Sequence, residues 1–220
     1  MQRFIRNQSL SIVLFSLFVL FLIGQSIAGH LQQNEELNEH GQPSLTYTAY
    51  LGSSHFLEAT MENWESEFLQ MFSYVALTAF LFQKGSLESK DPDKTEPVDR
   101  DPRKGKNRRN LPWPVKKGGL ILILYEYSLS LVFLLLFLMS FFLHAVGGAS
   151  TYNQGQIEHG QPAVSLLGFM ATSEFWFQSL QNWQSEFLAV GCMVVFSIFL
   201  RQRWSAESKP VDAPHSETGD

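Results

Sequence analysis

The sequence predicts an all-α membrane protein with four transmembrane helices, formed by two tandem helical hairpins that repeat in the same orientation. Three observations predict this fold class. Apolar residues come in long blocks, the two halves of the chain resemble each other, and Lys and Arg are confined to three regions. The mean hydropathy of -0.04 conceals the blocks, because polar and charged segments lie between them.

Two apolar blocks, residues 9–29 and 120–147, are long enough to cross a membrane, which takes about 20 residues of helix. Two shorter blocks follow, at 68–82 and 187–200. Fifteen residues of helix span only about 22 Å, against a hydrocarbon core of about 30 Å. We therefore expect the short spans to begin earlier, at about 62–82 and 181–201.

The chain is internally duplicated. With an offset of 119 residues, 9–93 align with 128–212 without a gap, and roughly a third of the positions are identical. The pattern EHGQP occurs at 39–43 and 158–162, NWxSEFL at 63–69 and 182–188, and SxESK at 86–90 and 205–209. A fixed period of this kind indicates a structural repeat. The first block resembles a secretory signal, but its copy is internal, so we expect a retained helix.

The duplication divides the chain into four parts. Residues 1–83 are predicted to form the first hairpin and 119–204 the second. Between them, 84–118 form a charged linker, and 205–220 form a polar tail. Low apolar content predicts disorder in the linker and in the tail.

The sixteen Lys and Arg residues predict the orientation. They lie before the first apolar block, between residues 84 and 117, and after the last block; segments 31–67 and 150–186 contain none. Because cytoplasmic loops retain Lys and Arg, both termini and the linker are predicted to be cytoplasmic. Residues 103–117 hold seven basic residues, which set this orientation and, as an alternative, attract anionic lipid headgroups. Nucleic acid is not expected as a partner, since no aromatic or helical platform accompanies these charges.

The start of each short span carries polar residues that form the candidate site. Asn63 and Glu67 lie four residues apart, and so do Asn182 and Glu186, which places each pair on one helix face. A carboxylate near hydrocarbon is costly and is expected to find a partner inside the bundle.

Four further side chains are candidate partners for these carboxylates. Gln25 and His144 occupy equivalent positions in the long spans, and His40 and His159 occupy equivalent predicted turns. One interpretation is that the groups only join loop to helix. The other is a site that relays protons or holds a cation.

A second group of carboxylates occurs in the first hairpin only. His55, Glu58, Glu62 and Glu65 have helical spacing, and their copies are Glu174, Phe177, Gln181 and Gln184. A solvated outer helix face is the expectation for such a charge run. Small residues such as Gly24, and the Gly147–Gly148 pair, permit close helix packing.

The sequence offers no catalytic residue, no cofactor motif and no metal-ligand motif. The only cysteine, Cys192, lies in the last apolar block, where a thiol is usually an apolar filler. We therefore predict that the chain is not an enzyme, although a membrane hydrolase using Glu and His stays open.

The repeated EHGQP, NWxSEF and SxESK patterns, together with Trp113-Pro114-Val115, are similar to those of an uncharacterised bacterial family of duplicated polytopic membrane proteins, a domain of unknown function. The resemblance covers residues 1–215. It implies a bacterial inner-membrane location and brings no activity or site residues.

Two functions remain open at this stage. The first is a multi-pass membrane protein with a binding or structural role. The second is a small transporter or channel that moves protons or cations with the paired Glu and His residues. Four helices offer little room for a pathway, so transport would require a homo-oligomer.

Overall fold

The computed structural model describes residues 2–105 and 110–219, and these contain α-helices and short 3-10 turns but no strand. The first half contains α1 (Gln2–Asn7), α2 (Ser9–Glu39), α3 (Tyr47–Leu51) and α4 (Ser54–Thr78). The remainder contains α5 (Trp113–Lys117), α6 (Gly119–Glu126), α7 (Ser128–Glu158), α8 (Leu166–Met170) and α9 (Ser173–Phe199).

Helices of the two halves begin at corresponding positions. Both α2 and α7 contain 31 residues, and both α3 and α8 contain five. The starts of α2, α3 and α4 lie 119 residues before the starts of α7, α8 and α9.

Three of the described helices are long and apolar enough to cross a membrane, namely α2, α7 and α9. The surfaces of α2 and α7 carry many exposed Leu, Ile, Val and Phe side chains. Such a surface suggests a membrane protein, because soluble proteins rarely expose contiguous apolar patches of this kind. Helix α4 is less apolar, because four glutamates lie within its first fourteen residues.

The observed helices differ from the predicted spans at their ends. Helix α2 starts at Ser9, where the apolar block starts, but continues to Glu39, ten residues beyond the predicted end. Helix α4 starts at Ser54 instead of about residue 62 and ends at Thr78. The predicted third span is divided between α6 and α7 by a break at Tyr127. Apolar blocks locate membrane-compatible segments, whereas helices continue through polar residues until a cap ends them.

The chain divides into two compact units. The first consists of the residues up to Met61 together with Leu143–Ala171. Its buried apolar centre includes Tyr50, Phe169, Ala145 and Ala149.

The second unit consists of Glu62–Phe142 together with the chain from Thr172 onward. Aromatic rings of α7 and α9 pack edge to face within it: Phe141 lies 5.3 Å from Phe175, and Phe137 lies 6.1 Å from Trp183. Such pairs stabilise beyond their buried area.

Ion pairs join residues within the described part of the predicted linker. Lys84 pairs with Asp93 at 3.1 Å, and Lys90 pairs with Asp99 at 2.7 Å. The Lys90 ammonium and a backbone N–H hold the pKa of Asp99 below its usual range. Local hydrogen bonds from side chains to the backbone can hold a polar segment in a defined turn even where it buries few apolar residues.

A buried lysine binds several carbonyls in and near the C-terminal tail. Lys209 is 2 % exposed, and its Nζ donates to carbonyls of Gly85, Pro214, His215 and Glu217 at 2.7 to 3.3 Å. The Gly85 N–H in turn donates to Thr218 Oγ1 at 2.8 Å. A single buried ammonium therefore holds the tail against the start of the linker.

The two SxESK tracts form the same turn. Ser89 Oγ accepts from the Gln83 N–H and Ser208 Oγ from the Gln202 N–H, at 2.8 Å in both. The first serine of each tract accepts from the glutamate N–H two residues later, at 3.1 Å. The serines of this pattern thus bind backbone N–H groups of the turns that follow α4 and α9.

Candidate functional site

The EHGQP patterns end the two long helices. In each, the histidine Nδ1–H donates at 2.8 Å to the carbonyl four residues earlier, Glu36 for His40 and Gly155 for His159. The glycines that follow, Gly41 and Gly160, both have φ of +69°, a conformation that glycine adopts without strain. The predicted turns are confirmed, and their histidines cap the helices that precede them.

Two asparagines that the sequence analysis did not single out fix the segment after each turn. Asn34 Oδ1 accepts from the Leu45 N–H at 2.7 Å, and its Nδ2 donates to the Leu45 carbonyl at 3.1 Å. Asn153 makes the same pair of bonds with Val164, at 2.7 and 2.9 Å. Each asparagine thereby binds both the backbone N–H and the backbone carbonyl of one residue in the segment that follows the turn. Their retention at the same repeat position was the signal that could have identified them.

A close approach between glycine and an aromatic ring also recurs. A Cβ at Gly29 would lie 2.0 Å from Tyr50 Oη, and a Cβ at Gly148 would lie 2.6 Å from the Phe169 ring. Both rings are buried. Gly147 lets the Glu58 backbone approach, since a Cβ there would lie 2.7 Å from the Glu58 nitrogen. Gly24, in contrast, faces open space.

The acidic face of α4 is not the solvated face that the sequence predicted. Glu65 is 0 % exposed and Glu58 is 8 % exposed, while Glu62 and His55 are half-buried. The reason is the early start of α4 at Ser54, which places these residues in a packed helix instead of a loop. Burial of a carboxylate is costly unless hydrogen bonds compensate for the lost water.

Two side chains of α9 donate hydrogen bonds to this face. Asn182 Nδ2 donates to Glu62 Oε1 at 2.6 Å, and Trp183 Nε1 donates to Glu65 Oε1 at 3.2 Å. Both donors belong to the NWxSEF pattern of the second half. The Glu62 and Glu65 carboxyl groups with Asn182 and Trp183 are hereafter the carboxylate site.

Two serine hydroxyls are buried in the same unit. Ser140 and Ser179 are each 0 % exposed, and their Oγ atoms have no hydrogen-bond partner among the described residues. Ser179 precedes Trp183 by one helical turn on α9. Ser140 follows Phe137 by nearly one turn on α7, and the Phe137 ring packs on Trp183. Buried hydroxyls of this kind commonly hydrogen-bond to internal water.

The other predicted site residues belong to both units. In the second unit, the Glu67 and Glu186 carboxyl groups lie close enough for their charges to interact. Asn63 and Glu67 are exposed and Glu186 is half-buried, whereas Asn182 contacts Glu62 as described. In the other unit, Gln25 Nε2 donates to Thr60 Oγ1 at 3.4 Å, and His144 is fully buried. The pairing of His40 and His159 with Glu67 and Glu186 stays a prediction.

Metal ligands do not gather in the described residues. No group of three or more His, Cys, Asp or Glu residues lies there in positions to hold a metal ion. The thiol of Cys192 is half-buried on α9.

These observations define a helical protein with membrane-compatible helices and buried carboxyl groups. The chain belongs to the family described as Domain of unknown function (DUF6766), whose model matches residues 1–220. The expected membership in an uncharacterised family is thus confirmed. No curated protein and no solved structure matches the chain.

Proposed function

We propose that the chain is a multi-pass protein of the bacterial inner membrane with four spans, α2, α4, α7 and α9, arranged as two repeated hairpins. The matching starts of the helices support the repeat. The absence of Lys and Arg from 31–67 and 150–186 supports a cytoplasmic location for both termini and the linker. Helix α4 has the lowest apolar content of the four, and two of its carboxyl groups, those of Glu58 and Glu65, are buried instead of facing lipid.

Cysteine labelling distinguishes four spans from three. In a background with Cys192 replaced by serine, we expect an impermeant thiol reagent to label Ser44→Cys in intact cells and to leave Thr95→Cys unlabelled until the membrane is opened. Both positions are exposed in the structure. If α4 does not cross the membrane, the two cysteines lie on one side and react alike, which would contradict the topology.

The proposed molecular function is proton binding and transfer at the carboxylate site. The observation that carries it is the complete burial of Glu65 beside Trp183, on a helix with two buried glutamates, Glu58 and Glu65. Intramembrane ionisable residues are costly to stability and are functional sites by default. This proposal replaces the predicted set of His40, Glu67, His159 and Glu186 as the proton-handling group.

The chemistry uses the carboxylate site and two buried serines of the same unit. The Trp183 N–H donates to Oε1 of Glu65 and orients the carboxyl group that takes up and releases the proton. A serine hydroxyl both donates and accepts, so Ser140 and Ser179 are suited to pass a proton through bound water. Assembly into a homo-oligomer would extend the pathway along which protons move. The proposed role is proton transfer without catalysis of a reaction.

A proton-flux assay tests this function. We expect Glu65→Gln to lower the flux about tenfold or more in vesicles containing purified protein, since amide cannot carry the proton. Glu67→Gln is the matched control, because Glu67 lies on the same helix and is exposed. Equal flux for wild type and Glu65→Gln, both above empty vesicles, would contradict the assignment.

A purely structural role is the second candidate. The Asn34 and Asn153 bonds and the histidine caps favour it, since they order the loops without exposing a reactive group. If the carboxylate site is structural, Glu65→Gln lowers the melting temperature and no variant changes a flux. If it transfers protons, removal of the charge raises stability or leaves it unchanged.

Anionic lipid headgroups are the proposed partner of residues 103–117. Of this segment, 106–109 lie outside the described residues. Arg103 pairs with Glu126 at 2.9 Å, while the Lys117 ammonium lies 5.0 Å from the centre of the Trp113 ring. Polybasic segments next to a span attract anionic headgroups by about 1 kcal/mol per charge.

A further inference from the structure

A pocket of about 190 Å³ lies in the second unit, between the C-terminal half of α4, the turn that follows it and α9. Its walls are apolar and include Leu77, Phe82, Phe187 and Val194. Polar residues also line it, and two of them, Tyr74 and Glu88, are hydrogen-bonded to each other. The carboxylate site does not contribute to this pocket.

Glu88 has one satisfied oxygen and one unsatisfied oxygen. The Tyr74 hydroxyl donates to Oε2. Oε1 is buried and has no hydrogen-bond partner among the described residues. An acceptor buried without a donor is unfavourable, and ionised carboxyl groups can accept several bonds. The pocket therefore presents one acceptor that a ligand can satisfy.

The neighbouring cations of the chain are engaged elsewhere. Lys84 pairs with Asp93, and Lys90 pairs with Asp99 while its ammonium lies 5.7 Å from the centre of the Phe82 ring. Lys209, at the repeat position of Lys90, donates to backbone carbonyls. These ammonium groups are held by partners other than the free oxygen of Glu88.

We propose that this pocket binds a primary ammonium group carried on an apolar chain, with the ammonium donating to Glu88 Oε1. A carboxylate selects a cation, and a charge-assisted N–H bond is stronger than a neutral one. A primary –NH₃⁺ group has N–H bonds to donate to the carboxylate, whereas a trimethylammonium group has none. The apolar walls receive the first part of the chain and the rest extends into the bilayer. An aminophospholipid such as phosphatidylethanolamine and a free alkylamine share this chemistry.

Glu207 provides the matched control for Glu88. It occupies the same position of the second SxESK tract, but it is exposed. Glu88→Gln and Glu207→Gln therefore each remove one negative charge near Tyr74 from equivalent turns, and only Glu88→Gln changes a residue that lines the pocket.

The test is the melting temperature of the full chain in detergent, titrated with four amphiphiles. These are phosphatidylethanolamine, phosphatidylcholine, dodecylamine and dodecyltrimethylammonium. A ligand that binds the folded state raises the melting temperature in proportion to its occupancy. We expect stabilisation by a primary amine at concentrations about tenfold or more below those of its trimethyl analogue. Glu88→Gln should abolish this preference, and Glu207→Gln should retain it.

The lipid pair and the alkylamine pair separate the two sources of the ammonium group. A preference within the lipid pair assigns the pocket to an aminophospholipid, and a preference within the alkylamine pair alone assigns it to a free amine. No preference in either pair, or an undiminished preference in Glu88→Gln, would overturn the proposal. If Glu88→Gln does not fold, Val194→Phe narrows the pocket with Glu88 intact, and it should abolish the preference too.

Discussion

Gly147→Ala is expected to lower the free energy of unfolding by about 3 kcal/mol, the upper end of what an overpacked site costs. The added Cβ would lie 2.7 Å from the Glu58 nitrogen and 3.0 Å from its Cα. These are backbone atoms of a neighbouring helix, so no side-chain rotation relieves the contact. The measurement is denaturant unfolding in mixed micelles.

Gly155→Ala, on the same helix, is the control for Gly147→Ala. No atom lies within 4 Å of a Cβ at Gly155. Since alanine is a better helix former than glycine, this variant should gain about 0.5–1 kcal/mol. A loss in Gly147→Ala no larger than the change in Gly155→Ala would show that α7 does not approach Glu58 this closely.

Lys209→Met is expected to cost about 3 kcal/mol, because it removes a charged donor that holds several buried carbonyls. The ammonium donates to four backbone oxygens, that of Gly85 at 2.7 Å and those of three residues in the C-terminal tail. The tail should then become sensitive to protease in the purified protein. Both the unfolding free energy and the rate of tail cleavage measure the effect.

Lys90→Met is the matched control, since Lys90 has the same place in the first SxESK tract. Its ammonium pairs with Asp99 near the surface. Surface ion pairs contribute about 0–1 kcal/mol, so the loss should be small. Equal losses for the two variants would contradict a special role for the buried ammonium of Lys209.

Much of the fold was predictable because local signals are strong. The apolar blocks located the three membrane-compatible helices, and the glycines of the EHGQP patterns marked the helix ends. The end of α2 at Glu39 was not predictable from apolarity, because its last turns are polar and are stabilised by the cap at His40.

The candidate site was harder to predict, because its geometry depends on contacts distant in sequence. The local sequence around Glu65 is typical of a solvated helix face. Its burial depends on a contact with Trp183, which lies 118 residues later in the sequence. The placement of the tail depends likewise on Lys209 reaching Gly85, 124 residues away. Composition indicates whether a segment can bury enough apolar surface to fold, but it carries no information about contacts with residues distant in sequence.

Protonation of Glu65 is the central claim, and infrared difference spectroscopy tests it most directly. Purified protein in lipid vesicles is titrated from alkaline to acidic pH while the carboxyl C=O stretch is recorded. We predict that one component of the protonated-carboxyl band is present in wild type and in Glu67→Gln and is missing in Glu65→Gln, while the other carboxyl groups absorb in all three proteins. A folded Glu65→Gln variant with the same carboxyl bands as wild type would contradict proton binding at Glu65.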